Sequence, residues 1–199
     1  ELRESKSVKG TPKSRLPAFI LGEELADLAD QDARIVVATA DLASANRSIE
    51  FQARHPQRFF DFGIAERNMI TAAAGMASCG LLPYVATFAS FCAIIGAEQI
   101  KTDCAYTYMP VRILGHHSGM SLGFYGTSHH ALEDLGMMRS VANLTVVCAA
   151  DANQLRAILR ASLVHEGTIY IRLGRGRDPE VYQNVPVDFN FGKACKLKE

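Results

Sequence analysis

Glu66 sits in the run DFGIAERNM, residues 61–69. A carboxyl group there admits two readings. One is a solvated acid in the first turn of a helix, where the helix dipole favours negative charge. The other takes the flanking Phe62, Ile64 and Met69 as apolar walls. Between such walls a carboxyl has a raised pKa and can serve as an acid near neutral pH. Phe88 and Phe91 follow an apolar run at 84–88. They read either as core packing or as a stacking wall for a heteroaromatic ring. His116, His117, His129 and His130 fall in one stretch rich in Gly and Ser. A zinc site would want fixed spacings or added cysteines, which are missing. The other readings are acid/base and substrate contacts at a site mouth, or four solvated histidines. Arg172, Arg175 and Arg177 follow the last apolar run. They are solvent charges or an anion clamp, for which the planar guanidinium fork is suited.

The elements that would position these groups alternate along the chain. Short apolar runs at 35–38, 59–62, 84–88, 111–114, 144–148 and 168–173 read as strands. Helices are expected from Pro17 onward, at 65–79, 91–106, 131–139 and 152–165. Asp151 with Gln154 resembles a capping box that opens the last of them. Residues 41–56 read as a polar connection and 116–130 as a loop. Small residues at Ala72, Ala73, Ala74 and Gly75 would let another backbone approach closely. The alternation predicts an α/β fold: a mainly parallel sheet of about five or six strands with helices on both faces. Such sheets bind ligands beyond the carboxyl ends of their strands. Asp41, Phe88, His116 and Arg175 are therefore placed at the expected site edge.

Formal net charge is zero over 199 residues. That balance argues against a nucleic-acid stripe or a basic membrane surface. No apolar run approaches the roughly 20 residues of a membrane helix, and no signal peptide is apparent at Glu1. The five cysteines are scattered with no C-x-x-C spacing, which reads as reduced thiols and a cytoplasmic protein. Three segments are expected: an arm or linker at 1–15, a domain at 16–178, and at 179–199 a linker leading into an absent further domain.

In order along the chain, DFGIAERNM, TFASF, GFYGTSHHALEDLGMMRS and IYIRLGR resemble the pyrimidine-binding domain of transketolases and deoxyxylulose-phosphate synthases. The style of these motifs looks most like the C-terminal subunit of split transketolases. The resemblance implies thiamine diphosphate as cofactor. It makes Glu66 the residue that hydrogen-bonds the aminopyrimidine ring nitrogen and so activates the thiazolium C2 position. Phe88 and Phe91 would pack on the pyrimidine, and Asp41 would be a cofactor-side acid near the partner subunit. His117 and His129 would contact substrate, His129 joining Glu66 as a catalytic residue, and Arg175 would bind a substrate phosphate. The implied reaction moves a two-carbon ketol unit between sugar phosphates.

Four positions depart from the pattern: Ile94 for a third aromatic, Ala45 for a phosphate-holding serine, Ser128 for the threonine of a Thr-His pair, and Tyr125 for a sugar-reading aspartate. The family's diphosphate metal motif, Gly-Asp-Gly, does not occur. Mg2+ or Ca2+ would then be held by a partner region: a diphosphate-binding domain or an N-terminal subunit, in a homodimer or heterotetramer. Two other classes stay open: a deoxyxylulose-phosphate synthase-like condensation, and a non-catalytic assembly module. A metal-binding protein is a weaker third.

Overall fold

A computed structural model describes residues 17–175, 180–182 and 187–194. The 1–15 arm, Arg177, Pro179, Pro186 and Cys195 lie outside the described residues. The strands are β1 (Ile35–Thr39), β2 (Phe59–Asp61), β3 (Leu82–Phe88), β4 (Arg112–His116), β5 (Leu144–Cys148) and β6 (Thr168–Arg172). They form one sheet in the order β2-β1-β3-β4-β6-β5, every pairing parallel. The central strands β1, β3 and β4 are buried along their whole length. That is why they read as mostly apolar runs rather than alternating ones, with Arg112 and His116 of β4 as exceptions.

The helices are α1 (Pro17–Ala29), α2 (Ile49–Arg54), α3 (Glu66–Ser78), α4 (Ala89–Ile94), α5 (Ala97–Gln99), α6 (Asp134–Arg139) and α7 (Ala152–Ser162). Side chains alternate across each strand, and the two resulting faces carry separate cores. On one, Leu25, Phe51 and Leu155 pack against Ile35, Val37, Tyr84 and Ile171. On the other, Met69, Ile70, Cys92 and Met138 pack against Val85, Ile113 and Tyr170. The sheet is thus covered on both faces, as the alternating pattern predicts.

Local chemistry explains several boundaries. At the start of α7 the Asp151 carboxylate accepts from the Gln154 backbone N–H at 2.8 Å, while Gln154 Oε1 accepts from the Ala150 N–H at 2.8 Å. This satisfies donors that a helix start leaves unpaired. The same helix ends at Ser162 rather than 165. There the fully buried Arg112 donates to the carbonyls of Ser162, His165 and Gly167. The polar connection at 41–56 contains α2, whose single buried residue, Phe51, left no apolar period to read. The helix expected at 91–106 begins earlier, at Ala89, and is broken. The N–H groups of Ile95 and Gly96 both bond to the Phe91 carbonyl, and a π-helical turn, Ile100–Ala105, follows α5. Gly96 is pressed against α3: a Cβ there would lie 2.5 Å from Ile70 Cδ1.

Candidate active site

The carboxyl edge of the sheet gathers the candidate residues. Asp41 follows β1 in a left-handed conformation, φ 56°, which aspartate tolerates better than most residues. Its N–H donates to Asp61 Oδ1 at 2.9 Å, and the Gly63 N–H donates to the same oxygen at 3.0 Å. Asp61, the last residue of β2, therefore pins the turn after β1 and the turn before α3. Nothing in the sequence singled it out beyond its place in DFGIAERNM.

Glu66 is the first residue of α3 and is only 5% exposed. Of the three flanking apolar residues, Met69 is fully buried and Phe62 partly so. Ile64, in contrast, is 85% exposed, so it points away from the core. The first turn of α3 is fixed to α4 by Arg67, whose Nε donates to the Ile95 carbonyl at 3.0 Å. Cys92 on α4 lies within electrostatic reach of Glu66. Burial, with the Asp134 and Glu66 carboxylates, pushes its thiol far above the reactive range. No side chain among the described residues hydrogen-bonds the Glu66 carboxyl. Its oxygens are not among the sealed polar atoms, so the carboxyl keeps some contact with solvent.

At the same carboxyl edge of the sheet stands a wall of rings centred on Phe88, the last residue of β3. Phe88 meets Phe91 at 5.3 Å between centroids, His116 at 5.0 Å, His117 at 5.2 Å and His129 at 5.5 Å. Phe91 also meets His129 at 5.2 Å. Tyr125 stacks on His129 at 4.8 Å and 26°. Ser128 Oγ lies 2.9 Å from His129 Nδ1, so its hydroxyl engages the ring. Arg175 donates to the Ser121 carbonyl at 3.3 Å and lies 5.3 Å over the Phe124 ring. Burial, then the Arg175 charge, pushes His117 down to about 4, and burial holds His116 well below its usual range.

The loop carrying these histidines is stapled at its base. Gly119 and Ala131 exchange backbone bonds of 3.1 and 2.9 Å, and the Ser118 N–H donates to the Leu173 carbonyl at 3.2 Å. Arg172 donates to Asp134 at 2.7 Å and to the Ala131 carbonyl at 3.4 Å. Arg172 is thus tied into the protein through Nε and one N–H of its guanidinium. The helix read at 131–139 begins at Asp134, because Ala131 serves this staple.

Phe88, Phe91, His117 and His129 are therefore brought together directly. Arg175 joins them through Phe124 and Tyr125, Glu66 opens the neighbouring helix, and Asp41 follows the adjoining strand. Among the described residues no group of three or more His, Cys, Asp or Glu could hold a metal ion. A cavity of about 530 Å3 lies at the opposite sheet edge, lined by Arg34, Leu82 and Arg112, and one of about 720 Å3 lies on the outer face of α7. Neither includes the ring wall, whose Phe88 and His117 are each 7% exposed. No helix among the described residues is long and apolar enough to cross a membrane. Cys92 and Cys104 are buried, and Cys79 and Cys148 are exposed free thiols.

Residues 18–179 match the family described as the transketolase pyrimidine binding domain, and the chain belongs to that family. It is 34% identical over 175 residues to one of the subunits of the apulose-4-phosphate transketolase of Phocaeicola vulgatus, covering 88% of this chain and 56% of that one. It is 36% identical to 1-deoxy-D-xylulose-5-phosphate synthase 2 of Geobacter sulfurreducens, over 91% of this chain and 28% of that one. A solved structure of a split-gene transketolase, an inactive beta4 tetramer, superposes with a TM-score of 0.77 at 38% identity. It spans 92% of this chain and 58% of that chain. The chain thus covers little more than half the length of its split-transketolase relatives.

Proposed function

We propose that this chain is the pyrimidine-side half of a thiamine-diphosphate-dependent transketolase that moves a two-carbon ketol unit between sugar phosphates. The reading is supported by Glu66, a residue only 5% exposed with no side chain among the described residues bonded to its carboxyl, at the same sheet edge as the Phe88–Phe91 pair. These residues fit the pyrimidine half of the cofactor: the rings offer a stacking wall and the carboxyl a partner for a ring nitrogen. Thiamine diphosphate, when bound, supplies a nucleophilic thiazolium carbon, the chemistry needed to cleave and form bonds beside a carbonyl. Glu66 holds the proton shared with the pyrimidine nitrogen. Asp41 lines the cofactor side, towards the partner. His117 and His129 contact substrate oxygens, and His129 moves a proton. Arg175 receives the phosphate.

The diphosphate and its Mg2+ or Ca2+ belong, in this reading, to a complementary region: an N-terminal subunit or a diphosphate-binding domain. The assembly is a homodimer or heterotetramer, and the site is cytoplasmic. The exposed Ile64, Ile94 and Phe124 suit a surface that another protein chain covers. The limits 16–178 for the domain and 179–199 for a linker towards a further domain belong to the same proposal.

A second reading, condensation of pyruvate with glyceraldehyde phosphate, draws support from the likeness to the synthase. The test supplies the assembled enzyme with a ketose phosphate and an aldose acceptor, or with pyruvate and glyceraldehyde phosphate, and identifies products by mass spectrometry. Ketol transfer without carbon dioxide release is expected. Decarboxylation of pyruvate with sugar formation would favour the synthase, and neither product would favour an assembly module.

A further inference from the structure

We infer that His116, at the end of β4, is a positioning residue that fixes His117 as a hydrogen-bond donor through Nε2. The inference rests on the reading above only in taking the ring wall as the substrate side. His116 Nδ1 and His117 Nδ1 are 2.6 Å apart. Two imidazole nitrogens at that distance hold one proton between them. If both carried one they would clash, and with none there would be no bond.

The outer nitrogens decide which ring donates. His116 is fully buried, and its Nε2 is sealed with no partner. His117 Nε2 also has no protein partner among the described residues, but it is not among the sealed atoms. A sealed N–H without an acceptor is rarer and costlier than an under-used acceptor. His116 therefore carries its proton on Nδ1 and leaves Nε2 bare. His117 accepts at Nδ1 and keeps its own proton on Nε2, the nitrogen that reaches the surface.

The surroundings hold this arrangement. Phe88 on β3 packs against both imidazoles, at 5.0 and 5.2 Å. Arg175 faces His117 with a positive charge and opposes a second proton there. On β6 and α6, Arg172 and Asp134 neutralise each other. The left-handed backbone of His117, φ 56°, is anchored by the next residue, whose N–H bonds to Leu173. His117 is then a neutral donor to a substrate hydroxyl or carbonyl oxygen and not a base, which leaves proton transfer to Glu66 and His129.

The test labels histidines with 15N in the full-length protein and reads, by long-range 1H–15N correlation, which nitrogen of His117 is protonated. Peaks are assigned by substituting each histidine in turn. The wild type is expected to show the Nε2–H form from neutral into mildly acidic pH. His116→Asn retains an amide donor and is expected to keep that form. His116→Asp offers an acceptor instead, so the His117 proton should move to Nδ1 and the ring should titrate at higher pH. An Nδ1–H form in the wild type, or no change in His116→Asp, would overturn the inference. If His116→Asp fails to fold, the wild type and His116→Asn still decide. The readout needs no substrate, so its failure is separate from failure of the ketol-transfer reading, which product analysis detects.

Discussion

Arg172 on β6 and Asp134 on α6 are joined at 2.7 Å across 38 residues of sequence. The Asp134 carboxyl is fully buried, and the same oxygen accepts from Tyr170 at 3.0 Å. This pair fixes the start of α6 to the sheet and closes the base of the histidine loop. Removing one partner leaves the other charge half-buried and unpaired. Asp134→Ala should therefore cost roughly 3–5 kcal/mol in urea unfolding. A loss below about 1 kcal/mol would place the pair in the class of surface bridges.

Arg112 makes a second prediction. Its guanidinium serves three carbonyls at the end of α7, with no carboxylate bonded to it among the described residues, and burial pushes it down to about 10. Lysine has no planar fork, so one ammonium cannot serve the same three acceptors. Arg112→Lys should lose at least about 3 kcal/mol, because buried carbonyls are left unsatisfied. Amide exchange should quicken at 160–167 before it does so elsewhere. Unchanged exchange there would show that the helix end is held by other means.

The buried histidines give a pH dependence. Burial and Arg175 put His117 at about 4 against an ordinary 6.5, and burial puts His116 well below 6.5 too. Between the folded and unfolded values the unfolded chain binds more protons, so stability rises with pH. Lowering the pH from about 6.5 towards about 4 should therefore lower the urea midpoint, while above about 6.5 both rings are neutral in either state. His116→Asn removes one contribution and should flatten the slope. A midpoint that does not fall across that window would contradict the buried neutral pair.

The strands were legible because the central ones are buried on both faces, so their sequences are mostly apolar, with Arg112 and His116 of β4 as exceptions. The capping box at Asp151 was legible because both of its members lie within one turn. Other features depend on tertiary contact. Asp134 reads as one acid among several in ALEDLGMMR until the fold brings Arg172 and Tyr170 to it. His116 reads as a loop residue because Gly115 and the polar residues after it mask the end of β4. Gly115 is small for a tertiary reason: a Cβ there would meet the Tyr170 hydroxyl at 2.3 Å. The break after Phe91 was hidden because a single glycine, Gly96, is tolerated inside an apolar helical run at a cost of only about 1 kcal/mol. Of the candidate site, the residue types and their order were visible in the chain. The ring contacts through Phe88 were not, because they join residues from 88 to 129.

The central claim is that Glu66 activates the cofactor. Glu66→Gln keeps the size and one hydrogen bond but cannot exchange the proton that sets the pyrimidine tautomer. The direct measurement is hydrogen–deuterium exchange at C2 of thiamine diphosphate on the assembled enzyme, wild type against Glu66→Gln, with folding checked by circular dichroism. Exchange slower by roughly two to four powers of ten, with the fold intact, is the predicted result. Equal exchange rates in the two proteins would make Glu66 no more than a charge at a helix start and would contradict the assignment.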